Sequence, residues 1–304
     1  MKNILKWKIT IILFLICFFF GCSKYIYSQQ IFKNIIYIVS FKGIVYGNKE
    51  FVIVGSNSTI LTSPNGIKWI PQKSGTSSLL KGVTYGDKKF VAVGWDEINN
   101  LNGRILISTD GENWIPQKAG TNTGLNGVIY GDKKFVAVGW NGTILTSING
   151  ENWTKQKSGT NTGLNGVTYG DKKFVAVGYG YNSDRKTYGV IFTSPDGKNW
   201  TPQKSGTNNR LFAVTYGNHE FVVVGEKGMI LTSTDGGNWT KQKSGRINSE
   251  FYGITYGDKK FVAVGWNGTI FTSKDGIIWI PQKSGMIPPK IPLPKSSSQP
   301  LMVF

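Results

Sequence analysis

Apolar and polar positions along the chain fall into four short strand patterns that recur as a unit about every 39 residues. In the copy starting at Leu125 the strands are expected at Gly127–Tyr130, Lys134–Trp140, Thr143–Ser147 and Asn152–Lys157. Gly131-Asp132-Lys133 separates the first two and Ile148-Asn149-Gly150 the last two. Asp or Asn beside Gly marks tight hairpins, whose central residues need positive φ. Phe135-Val136-Ala137-Val138-Gly139 is apolar on both faces, as a strand covered on both sides would be. No stretch within the repeats has helical periodicity.

The unit occurs six times. Its first tyrosine stands at Tyr46, Tyr85, Tyr130, Tyr169, Tyr216 and Tyr256, and its tryptophan at Trp69, Trp114, Trp153, Trp200, Trp239 and Trp279. A period of this length means a repeat architecture. Four antiparallel strands per unit read as the blades of a β-propeller, an all-β fold whose closure removes exposed sheet edges. Six four-stranded blades over residues 41–285 are expected; seven, with one blade built from the termini, is the alternative. Residues present in every copy hold the fold, so residues found in one copy need another explanation.

The ends lie outside the repeat. Residues 1–21 combine Lys2, Lys6 and Lys8 with an apolar run from Ile9 to Phe20, too short for a comfortable membrane span and patterned as an export signal. Gly21-Cys22 resembles a bacterial lipobox, although Phe19 and Phe20 depart from it; Cys22 would then carry the lipid. An ordinary cleaved signal or an uncleaved anchor is the alternative. Residues 22–40 form a linker in which Phe32–Val39 could supply a ring-closing strand. Residues 286–304 make a proline-rich tail. Cys17 would leave with the signal, and a single remaining thiol builds neither a disulfide nor a cysteine metal site.

Ser108-Thr109-Asp110-Gly111-Glu112-Asn113-Trp114 and Ser233-Thr234-Asp235-Gly236-Gly237-Asn238-Trp239 resemble the Asp-box of the sialidase-like (BNR) propellers. The tryptophan comes one residue sooner here, and Asn65 and Asn149 replace the aspartate in two copies. The resemblance covers residues 41–285 and extends to photosystem II stability/assembly-factor-like bacterial propellers. It implies a propeller in which the Asp-box is structural, its carboxylate bonding turn amides and its tryptophan packing between blades.

The net charge of +18 falls to +15 without the three leader lysines and is spread over the repeats, as at Lys88, Lys133, Lys172 and Lys259. An even distribution argues against a nucleic-acid stripe and favours acidic envelope partners. His219 is the only histidine and replaces a turn lysine. The aspartates Asp87, Asp132, Asp171 and Asp258 recur in one turn, and no FRIP-like segment supplies the first arginine of a sialidase. No catalytic, metal or cofactor site is therefore expected.

The four arginines are Arg104, Arg185, Arg210 and Arg246. The first two lie in the insertions Asp96–Arg104 and Gly180–Gly189, and the others in connections between blades. Both loop classes open at the mouth of a propeller channel. Other departures from the repeat gather there: Asp96, Glu97, Tyr181, Asp184, Tyr188, Glu226 and Lys227. Trp95, Trp140, Tyr179 and Trp266 stand just after the second strand of their copies and either bind or pack between blades. Guanidinium forks and aromatic rings suit an acidic or glycan-bearing ligand. The expected protein is a monomeric, exported, lipid-anchored scaffold of the bacterial envelope, or a secreted one, that binds an envelope protein or glycan. A glycoside hydrolase or lyase and a structural surface antigen are the alternatives.

Overall fold

The computed structural model describes residues 40–96, 102–242 and 249–283. They form an all-β propeller of six blades, each a four-stranded antiparallel sheet with its strands in chain order. Blade one runs from Phe41 to Gln72, blade two from Ser78 to Gln117 and blade three from Leu125 to Gln156. Blades four, five and six run from Gly163 to Gln203, Leu211 to Lys241 and Phe251 to Gln282. The leader, Cys22, Phe32–Val39, Glu97, Arg246 and the tail 286–304 lie outside the described residues.

In blade three the strands are Leu125–Gly131, Lys134–Gly139, Ile144–Ser147 and Thr154–Gln156. The fourth is shorter than its sequence suggests because Asn152 and Trp153 are spent on the preceding turn. Asn152 N donates to Asn149 Oδ1 at 3.0 Å, and the Trp153 indole N–H donates to Gly150 O at 2.7 Å.

The second strand of each blade explains the double-sided apolar pattern. Phe135 and Ala137 pack back into the core shared with blade two, while Val136 and Val138 pack forward into the core shared with blade four. Among the described residues there are five such cores, one at each junction from blades one and two to blades five and six. Each blade therefore lacks a core of its own and is stable only through its neighbours.

The tyrosine-glycine pair works across these junctions. A Cβ on Gly86 would lie 2.0 Å from Cγ of Tyr130, and one on Gly131 would lie 2.3 Å from Cγ of Tyr169. The tyrosine of one blade thus rests on the bare backbone of the blade before it. Within its own blade it packs on the strand-two phenylalanine, as Tyr130 does on Phe135 with ring centroids 4.8 Å apart.

Two turns at the end of the blade away from the channel mouth complete the scaffold. In the first, two non-glycine residues hold positive φ, as at Asp132 (46°) and Lys133 (58°); His219 occupies this turn in blade five with φ 61°. In the second, Asp110 Oδ1 accepts the amides of Glu112 and Asn113 at 2.9 and 2.8 Å, and Trp114 is buried with its indole N–H on Gly111 O at 2.7 Å.

These bonds hold the Asp110, Asp196 and Asp235 carboxyls well below the usual carboxylate range. The Asn113 side-chain amide contributes most at Asp110, and the backbone amides of Asn199 and Asn238 contribute most at Asp196 and Asp235. Asp275 is lowered in the same way, chiefly by the Ile278 amide. Asn65 and Asn149 supply the same acceptor without charge.

Two outcomes are expected. Gly86→Ala forces Tyr130 off its seat and should cost on the order of 1–3 kcal/mol in chemical denaturation, the range for overpacking. Replacing Asp110, Asp196, Asp235 and Asp275 with Asn should flatten the acid limb of the stability profile. A depressed carboxyl stabilises the fold above the unfolded-state value of about 3.9 and loses that contribution as pH falls towards the folded-state value. The variant should therefore lose less stability than the parent between about pH 4 and pH 2 in acid unfolding followed by circular dichroism.

Candidate functional site

At the mouth of the channel the inner strands surround a cavity of about 900 Å³. Its residues arrive there through a distortion repeated in every blade. Along each inner strand the pairing skips one residue: Leu80 faces Gly94 and Gly82 faces Val93, leaving Lys81 unpaired. The same skip occurs at Lys42, Asn126, Asn165, Phe212 and Tyr252. Such a bulge re-aims the extra side chain, and all six residues line the cavity. The next position must be small because the inner strands crowd together. A Cβ on Gly82 would stand 3.2 Å from Cα of Gly127 in the next blade.

Two bulge residues have structural duties. The side-chain amides of Asn126 and Asn165 donate to Leu164 O and Leu211 O of the following blade, each at 2.8 Å. The other four leave a cationic side, Lys42 and Lys81, and an aromatic side, where the rings of Phe212 and Tyr252 lie 5.4 Å apart.

A second tier comes from the residues after strand two. Trp95, Trp140, Tyr179 and Trp266 all line the cavity, and Arg210 joins them. Trp95 and Trp140 contact each other with centroids 4.6 Å apart and planes tilted by 42°. Lys81 Nζ sits 5.2 Å from the Trp95 centroid, and the Arg210 guanidinium 4.9 Å from that of Tyr179. Trp266 remains 59% exposed, with most of its ring free for contact.

The other two described arginines go elsewhere. Arg104 is paired with Asp96 at 2.5 Å, closing the base of its insertion. Arg185, at φ 58°, occupies the exposed hairpin tip between Asn182 and Lys186. Of the three described arginines, Arg210 is the one that lines the cavity, and Arg246 lies outside the described residues. Lys42, Lys81, Phe212 and Tyr252 were not recognised from the sequence. The available signal was the most variable position in a repeated segment that reads Leu or Phe, then any residue, then Gly or Ala.

The cavity is cationic. Among the described residues that line it there are two lysines and one arginine and no carboxylate. Burial, aided by nearby Lys42, pulls the Lys81 ammonium below its ordinary value. Tyr252 hydrogen-bonds Glu250, which together with burial pushes its phenol up to about 12. Glu226 Oε2 accepts the Arg210 backbone N–H at 3.2 Å, which fixes the connection carrying that side chain. No group of three or more His, Cys, Asp or Glu side chains able to hold a metal occurs among the described residues. His219 lies in a turn outside the cavity.

No protein-family model matches the chain, and no curated protein matches it. Solved structures do. A structure of YCF48 bound to D1 peptide superposes with a TM-score of 0.61 at 17% identity, covering 80% of each chain. YCF48 from Cyanidioschyzon merolae gives 0.59 at 16% identity, covering 80% of this chain and 85% of that one. The chain folds as a YCF48-like propeller. A chain of a nidogen/laminin complex also matches, with a TM-score of 0.55 at 12% identity over 73% of this chain and 88% of its own. Likeness at these identities concerns the fold.

Lys81 ties the site to stability. A lysine whose folded-state value is lowered destabilises the fold at every pH where it stays charged, and the penalty lifts as pH rises through that value. Lys81→Met should therefore raise the neutral-pH melting temperature by about 1–4 °C, measured by differential scanning calorimetry.

Proposed function

We propose that this protein is a non-enzymatic scaffold whose channel mouth holds an acidic segment of a partner protein. The observation that carries the reading is the cavity: three cations and seven aromatic side chains around a space with no carboxylate among its described lining residues. Low-dielectric walls focus the potential of the lysines and the arginine into the cavity. The aromatic side offers apolar contact to the rest of the segment, and a volume of about 900 Å³ admits several residues of an extended chain. The YCF48 structure with D1 peptide is an instance of a peptide held by a propeller of this shape.

The setting follows from the leader. Lys2, Lys6 and Lys8, the apolar run and Gly21-Cys22 support export to a bacterial envelope and lipid attachment at Cys22, with the propeller acting as a monomer. A tethered scaffold with a basic face would meet acidic envelope proteins at short range. A glycan with acidic groups is the second reading, favoured by the open face of Trp266. The contact between Trp95 and Trp140 consumes part of two further faces and favours the peptide.

The test is binding of acidic peptides by the leaderless protein, beside neutral peptides of matched hydrophobicity and acidic oligosaccharides. Lys81→Met and Arg210→Met should each weaken acidic-peptide binding by about tenfold, the loss of one charge-assisted contact, and added salt should weaken the parent. Equal affinity for neutral peptides, or no change in both variants, would sink the reading. Preference for oligosaccharides would favour the glycan.

A further inference from the structure

Among the described residues, five of the six blade junctions are sealed by a buried core, and the sixth, between blades six and one, is different. The tyrosine seat shows it most sharply. In blades one to five a Cβ on the pair's glycine would strike the next blade's tyrosine; on Gly257 of blade six it meets nothing within 4 Å. Tyr46, the tyrosine that would fill this seat in a ring with equivalent junctions, is 57% exposed. Lys134, Lys173 and Lys260 each pair with the aspartate of their own hairpin; Lys134 and Lys173 also reach across their junctions to the carbonyls of Asp196 and Asp235.

Both walls of this seam keep the chemistry of a core. Val264 is 44% exposed, yet all five counterparts, Val93 and Val138 among them, are fully buried. Phe41 is 56% exposed although the apolar residues at its repeat position in the other blades are fully buried, and Ile44 is 60% exposed against 7–9% for Val83, Val128, Val167 and Val214. A contiguous apolar surface of this kind marks an interface.

We infer that the seam is closed by the chain's own segment Ile31–Val39, running alongside blade one towards Ser40. The described chain begins on the seam wall. Ser40 lines the cavity and is pinned there, its N–H donating to Ser56 Oγ at 2.8 Å and its carbonyl accepting the Ser56 N–H at 3.0 Å. Whatever precedes Ser40 therefore starts beside the exposed walls at high effective concentration. The sequence Ile31-Phe32-Lys33-Asn34-Ile35-Ile36-Tyr37-Ile38-Val39 is rich in β-branched and aromatic residues and has neither Gly nor Pro. At about 3.3 Å per residue it spans roughly 30 Å, more than the seven-residue inner strand Phe41–Gly47. The tail 286–304, with five prolines, is the poorer strand former.

Hydrogen exchange on the leaderless chain beginning at Cys22, with mass-spectrometric readout, tests the inference. The amides of Ile31–Val39 should exchange at least tenfold more slowly than in an unstructured peptide, and Ile44→Ser should remove that protection. Equilibrium unfolding gives a second readout, because strand alternation puts either Ile36 and Ile38 or Ile35, Tyr37 and Val39 against the walls. Serine substitution of one set, and not the other, should couple non-additively with Ile44→Ser. Exchange at the unstructured rate would overturn the inference, as would purely additive effects of both sets. Protection that grows with protein concentration alongside a dimer in sedimentation would assign the seam to a second copy instead.

Discussion

The fold depends on one constraint: no blade has a core until another blade is laid against it. The second strand of each unit is apolar on both faces, so Phe135 and Ala137 serve one junction while Val136 and Val138 serve the next. The tyrosine-glycine seat sets the spacing. Removing the Cβ lets a ring lie directly on backbone, and even an alanine at Gly86 would intrude on Tyr130. Stability is therefore a property of junctions, and an unsealed junction is felt by the blades on both sides.

This dependence explains which features were legible in the sequence. Blade number, strand order and both turns follow from contacts within one repeat or between neighbours, and every repeat restates them. His219 could be assigned to a turn because five other copies show lysine or an equivalent residue there. The aromatic tier of Trp95, Trp140, Tyr179 and Trp266 could also be placed, since its members follow a strand whose direction is fixed by the repeat.

The bulge was not legible, although it decides what lines the cavity. Simple alternation along Leu80-Lys81-Gly82 gives no warning that one residue is skipped in the pairing. The skip arises from crowding about the channel axis, where Gly82 approaches Gly127 of another blade. It is a property of six inner strands together, not of one. The arginines show the other side of this: rarity drew attention to all four, and of the three described, Arg104 is committed to Asp96, Arg185 sits at an exposed hairpin tip and Arg210 reaches the cavity rings. Composition identified unusual residues; the ladder register determined which of them share a space.

The separation between repeated and changing positions also shapes the proposed site. Residues that hold junctions cannot vary without disturbing both neighbours, whereas a bulged side chain is relieved of pairing and points into open space. That is where Lys, Asn, Phe and Tyr alternate among blades. Two of the six, Asn126 and Asn165, still tie adjacent inner strands together. Lys81 does the reverse: its burial near Lys42 lowers its proton affinity and works against the fold. An anion entering the cavity would relieve that penalty, because opposite charge restores the ammonium that burial and Lys42 disfavour. The stability lost at Lys81 in the free protein is then recovered on binding, and the recovered part favours an acidic partner over a neutral one of the same shape.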